Sequence, residues 1–127
     1  SIPALYAAQE GPKIISEIGI EKIRAKSIRQ TSRLIELADE IGFKVNSPRN
    51  AEERGGTVSI DVPYGDAVAQ ELLRRKFLVD YRPRAGIRIA PHFYTKDEEL
   101  ELVMREIKSI LETKAYQAHS SSKPRVR

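Results

Sequence analysis

Apolar residues recur at helical spacing at the two ends of this chain and at strand spacing between them. Over 20–41, Ile20, Ile23, Ser27, Thr31, Leu34, Ala38 and Ile41 fall three or four apart, with Ile28 and Ile35 widening the stripe. The opposite side carries Lys22, Lys26, Arg29, Arg33, Glu36 and Glu40. This pattern predicts the longest helix of the chain, and Gly42 is a fitting stop. Before it, residues 3–9 and 12–18 read as two short helical pieces separated at Gly11-Pro12. After it, Phe43-Lys44-Val45 is a short strand candidate, and Ser47–Gly56 is a polar loop. Thr57–Val62 alternates, with Val58, Ile60 and Val62 on one face. Asp66–Lys76 reads as a helix with Val68, Ala69, Leu72 and Leu73 inward. Two strands follow, Phe77–Tyr81 and Ile87–Ala90, joined by the turn Arg82-Pro83-Arg84-Ala85-Gly86. Thr95-Lys96-Asp97-Glu98 is read as a capping box opening a last helix, with Leu100, Val103, Met104, Ile107, Ile110 and Leu111 inward.

The order is three helical pieces, two strands, a helix, two strands and a helix. Layer packing favours an α/β fold of the two-layer α+β kind: a small mixed sheet with helices mainly on one face, preceded by the long helix. The uncovered sheet face must then meet water or another body. Residues 114–127 have no periodicity and are expected to form a disordered basic tail.

Composition narrows the function. The 127 residues suffice for one domain. No apolar run approaches a membrane span. The N-terminus, SIPALYAAQEG, lacks the basic and apolar regions of a secretory signal and has no starting Met, so the chain is expected to be processed or cut from something longer. The net charge of +4 hints at nucleic acid, but its placement argues otherwise. Four of the 22 basic residues (Lys114, Lys123, Arg125 and Arg127) lie in the tail, leaving 18 to balance the 18 acidic ones. A nucleic-acid surface needs clustered excess charge, so none is expected to bind here. With no Cys, disulfides, thiolate metal sites and a cysteine nucleophile are excluded within the chain. His92 and His119 alone do not make a multi-His metal site.

Little else suggests catalysis. No glycine pattern matches a phosphate loop. Ser120–Ser122 have no neighbouring base, and Glu52-Glu53 and Asp97-Glu98-Glu99 read as solvated or capping carboxylates. Arg88 stands out. It lies between Ile87 and Ile89, so strand alternation sends it to the face away from the helices. A guanidinium on a rigid strand suits two parallel hydrogen bonds to a carboxylate. An ion pair with Asp61 or Asp80 is the equal alternative. His92 and Tyr94, just beyond the strand end, are candidate site-lining residues. A backbone-capping role is the plainer reading of His92.

Four stretches carry a joint resemblance: Ile23-Arg24-Ala25-Lys26-Ser27; Ser47-Pro48 through Glu53-Arg54-Gly55-Gly56; Val79-Asp80-Tyr81-Arg82-Pro83; and Gly86-Ile87-Arg88-Ile89-Ala90-Pro91. In this order they resemble the C-terminal part of the kynureninases, pyridoxal-phosphate enzymes of fold type I in the class V aminotransferase group. The resemblance covers residues 1 to about 112 and implies several things. Residues 1–18 would be the tail of a large cofactor-binding domain, and 19–113 the small C-terminal domain. Arg88 matches the arginine that holds the substrate α-carboxylate. The parent would be a cytoplasmic homodimer of tryptophan catabolism and NAD biosynthesis, cleaving L-kynurenine with water to anthranilate and L-alanine. The Schiff-base lysine would lie upstream of Ser1, so this chain alone is expected to be inactive and to hold no cofactor. It is also expected to self-associate through residues 2–18. One departure is Pro91-His92-Phe93-Tyr94, where kynureninases often read Pro-x-Pro-Leu-Tyr; it looks more like other class V relatives. The alternatives are therefore another class V enzyme, desulfurase-like or aminotransferase, or a non-catalytic domain that binds carboxylates.

Overall fold

A computed structural model describes residues 19–119 of the chain. The expected helical pieces at 3–9 and 12–18 lie outside them, as do residues 120–127. Helix α1 runs Ile20–Ile41, followed by strands β1, Lys44–Val45, and β2, Val58–Asp61. Helix α2 spans Gly65–Arg74, strand β3 Asp80–Arg82, strand β4 Gly86–Ile89, and helix α3 Asp97–Thr113. A 3-10 turn at Ala115–Ala118 closes the described chain.

The four strands form one sheet in the order β1-β2-β4-β3. The two-layer α+β architecture is as expected, but every pairing is antiparallel, so the sheet is not mixed. The reason is topological. The β2-α2-β3 crossover does run β2 and β3 in the same sense, but β4 turns back from β3 and lies between them. Gly86 permits that insertion. Its φ is 95°, and an added Cβ would stand 2.1 Å from the Ile60 carbonyl oxygen, so any side chain would push β4 off β2.

Val58, Ile60, Ile87 and Ile89 point to the helical layer and bury against Leu34 and Ala38 of α1, Val68 and Leu72 of α2, and Leu100, Val103, Met104, Ile107 and Ile110 of α3. Their alternates, Ser59, Asp61, Arg88 and Asp80, take the other face.

Three expectations need correction. Leu73 is 58% exposed, and Glu71 is buried in its place. Glu71 is tolerated there because Arg74, Arg75 and His119 each contact its carboxylate at 2.8–2.9 Å. Thr95 is not the N-cap of α3. Lys96 holds that position, its N–H donating to Glu99 at 3.0 Å, while the Thr95 hydroxyl accepts from His92 N at 2.8 Å. Residues 115–118 are structured rather than part of a tail, since Tyr116 is buried and stacks on Tyr64 with centroids 4.3 Å apart.

Candidate functional site

The site is built where the open sheet face meets the strand end carrying Arg88. In the register, Arg88 stands directly opposite Ser59 on one side and Asp80 on the other. This row explains which of the two sequence candidates becomes its partner. Asp61 lies two residues farther along β2 than Ser59, opposite Lys44 of β1. Asp80 faces Arg88 across β3–β4, and Arg88 Nη1 donates to Asp80 Oδ2 at 3.2 Å.

That contact uses one of the three guanidinium nitrogens. Among the described residues Arg88 has no other hydrogen bond or ion pair, so Nε and Nη2 form a free edge. The side chain is 35% exposed, enough to keep its charge hydrated and reachable. A free Nε–Nη2 edge is the part of arginine that accepts a carboxylate with two parallel hydrogen bonds. Asp80 is itself crowded with donors. Arg82 Nε reaches Oδ2 at 3.2 Å, and the Tyr81 N–H reaches Oδ1 at 2.9 Å. Its carboxyl is held below its ordinary value, first by the Arg82 hydrogen bond and then by the Tyr81 N–H and the charges of Arg82 and Arg88.

The segment 90–95 leaves β4 and is tied down to α1. Lys26 Nζ donates to the Phe93 carbonyl at 2.6 Å, and Gln30 Nε2 to that of Thr95 at 2.8 Å. His92 and Tyr94 are half-buried, and their rings stack on each other with centroids 5.2 Å apart. Phe93 meets Tyr94 edge-on. The His92 backbone is part of a small capping arrangement with Thr95, whose N–H returns to His92 O at 2.9 Å. The structure thus joins His92 and Tyr94 to each other and Arg88 to Asp80.

Sequence reasoning missed the tethers. Arg54 is 4% exposed, and its guanidinium reaches Thr31 and Ser32 on α1 and the carbonyls of Pro48 and Arg49. Arg24 reaches back to the carbonyls of Ala51 and Arg54. Gly56 comes within 3.5 Å of the Ser27 hydroxyl, measured from an added Cβ. One signal was available: Gln30 is a long polar residue four positions before Leu34, inside the apolar stripe. No group of three or more metal-ligating side chains occurs among the described residues.

An antiparallel sheet with helices on one face and an arginine open on the other defines a class of domain. The same fold occurs in a cysteine desulfurase from Thermococcus onnurineus, at a TM-score of 0.71 and 23% identity over 80% of this chain and 29% of that one. It also occurs in a NifS-like protein, at a TM-score of 0.64 and 21% identity over 73% of this chain and 29% of that one. Sequence is more particular. Residues 23–107 match the kynureninase C-terminal domain family, and the chain belongs to it. The kynureninase of Geobacillus thermodenitrificans is 30% identical over 87% of this chain and 27% of its own length. That of Koribacter versatilis is 35% identical over 72% of this chain and 22% of its own. The resemblance carried by the four motifs is borne out. The chain spans about a quarter of the length of the curated relatives it matches.

Proposed function

We propose that this chain is the small C-terminal domain of a pyridoxal-phosphate-dependent, kynureninase-like hydrolase that converts L-kynurenine and water to anthranilate and L-alanine. In this reading Arg88 holds the α-carboxylate of the amino acid. The observation that carries it is the free Nε–Nη2 edge of Arg88 on the sheet face that the helices leave open. A carboxylate seated there would be fixed in position and direction, and fixing a reactant is worth several powers of ten in rate when the reacting bond is thereby aligned.

The cofactor does not fit the residues described. Lys26 is committed to the Phe93 carbonyl, and Lys22, Lys44, Lys76, Lys96, Lys108 and Lys114 are exposed, so none offers a sheltered amine for a Schiff base. The cofactor and the chemistry it supplies are assigned to the remaining three-quarters of a kynureninase-length chain. This domain's own part is to bind and orient the substrate, and alone it is expected to be inactive. The holoenzyme is proposed to be a cytoplasmic homodimer acting on a small amino acid, without nucleic-acid or membrane partners. No helix among the described residues is long and apolar enough to cross a membrane.

The test is Arg88→Ala in the kynureninase-length protein. KM for L-kynurenine should rise strongly, while the absorbance of the bound cofactor stays intact. An unchanged KM would sink the assignment. Assay against cysteine and a panel of amino acids separates this substrate from those of other class V enzymes, whose likeness here is in fold. Saturable micromolar binding of simple carboxylates by the 127-residue chain would instead favour a free-standing binding domain.

A further inference from the structure

We propose that Asp80 is a positioning residue for Arg88, bracing one guanidinium nitrogen so that the opposite edge faces an incoming carboxylate, with Arg82 balancing the charge of the brace. This rests on reading Arg88 as the substrate-carboxylate residue.

An acidic residue beside a substrate-binding arginine can do one of two opposite things. It can compete with the substrate for the fork, or it can hold the fork for it. The donors around Asp80 decide between these. Oδ1 is taken by the Tyr81 backbone N–H at 2.9 Å, an anchor within its own strand. Oδ2 is shared by Arg82 Nε and Arg88 Nη1, each at 3.2 Å. Oδ1 is thus turned to its own strand, and Asp80 meets Arg88 through Oδ2 alone. It makes a single-point contact on Nη1 and leaves Nε and Nη2 free. The cross-strand register supports the same geometry, because Asp80 and Arg88 are direct partners and the contact needs no strained reach. On the other flank stands Ser59, a short polar residue that carries no charge to compete for Arg88.

Arg82 explains why the brace persists when a ligand arrives. A second carboxylate on Arg88 would place two negative groups on one cation. Arg82 keeps Asp80 neutralised, so ligand binding does not leave Asp80 uncompensated. An arginine with free rotamers loses side-chain entropy on binding. One already fixed by Asp80 loses less, and that difference appears as affinity.

The experiment uses the kynureninase-length protein with bound cofactor. Asp80→Ala should raise KM for L-kynurenine by roughly threefold to tenfold, the scale of a partly exposed charge-assisted contact, with kcat nearly unchanged. Asp80→Asn, which preserves shape and one acceptor, should give a smaller rise and guards against misfolding. The inhibition constant of decarboxylated kynurenine, which has no carboxylate for Arg88, should not move. In an Arg88→Ala background, Asp80→Ala should add nothing. A fall in KM would make Asp80 a competitor and overturn the proposal. An equal loss with the carboxylate-free inhibitor would make Asp80 merely structural and overturn it too. If Arg88→Ala raises KM and Asp80→Ala does not, the brace alone fails. If Arg88→Ala leaves KM unchanged, the underlying reading of Arg88 fails instead.

Discussion

Arg54 carries its charge into the protein without a carboxylate to meet it among the described residues. Its partners among the described residues are two hydroxyls and two carbonyls. Burying a cation this way is tolerable only because the planar fork spreads its donors over several dipoles. Replacement by Met removes a costly buried charge, yet strands the Pro48 and Arg49 carbonyls and the Thr31 and Ser32 hydroxyls. The second effect should win, at a net cost of about 2 kcal/mol. Arg54→Lys should lose nearly as much, since an ammonium cannot reach α1 and the loop together. Urea unfolding of the 127-residue chain measures both, with the midpoint falling by about 1 M. An unmoved midpoint would show that the desolvation cost of the charge offsets its contacts. Arg88 and Arg54 also mark what was legible at this scale. Alternation alone placed Arg88 on the open face. Its choice of Asp80 over Asp61 depended on register, since β2 and β3 both flank β4 and only Asp80 stands directly opposite Arg88, and register between strands is not written in local pattern. Arg54 looked like one more charge in a polar loop, because burial of a polar residue follows from tertiary partners rather than its own surroundings in sequence.

Elements whose periodicity was strong were placed within a residue or two. α1 ends at Ile41 as its stripe predicts, with Gly42 left-handed at φ 97°. Val58 and Ile60 of β2, and Val62 just after it, are inward. Apolar Phe77, Leu78 and Val79 extend the strand pattern of 77–81 ahead of β3, but only Asp80–Arg82 pair with β4. Helix α2 misled differently, since Glu71 takes a core position through a network no spacing reveals. Arg75 also reaches Glu106 of α3 at 2.7 Å, so Glu71 ties α2 to both α3 and the closing turn. Its carboxyl is held well below the usual range, first by the Arg74 hydrogen bond and then by those of His119 and Arg75, against the opposing effect of burial. A depressed carboxyl contributes stability that is full above its unfolded value of about 4.3 and is lost as pH falls through its folded one. Glu71→Gln should therefore cost about 1–3 kcal/mol at pH 7. The gap between variant and wild type should narrow below about pH 4. Thermal melts from neutral to acidic pH give the comparison, and a gap that stays constant or widens in acid would contradict the assignment.

At the scale of the whole molecule the sheet has two unlike faces. One is closed by three helices and the other is polar, so the open face is suited to a hydrated cleft and poorly suited to holding two bodies together. Any firm attachment to a larger domain has to come from elsewhere. Ile2, Leu5, Tyr6, Ile14, Ile15 and Ile18 precede α1, and Ile20 at its start is 73% exposed. Under the proposed function these apolar residues belong against the large domain. Without it, apolar residues that lack their partner tend to find another. The 127-residue chain should then self-associate at tens of micromolar, roughly where exposed apolar surface promotes assembly. A chain beginning at Gly19 should sediment as a monomer at the same concentration. Leu78 and Leu102 offer a competing source of association, since both are exposed beside the small apolar cleft between 77–79 and α3. If the shortened chain still associates and Leu102→Gln abolishes it, that cleft is the adhesive surface and the N-terminal residues are not. If the 127-residue chain is monomeric throughout, neither surface is adhesive, and the expectation that the N-terminal residues need a large-domain partner fails.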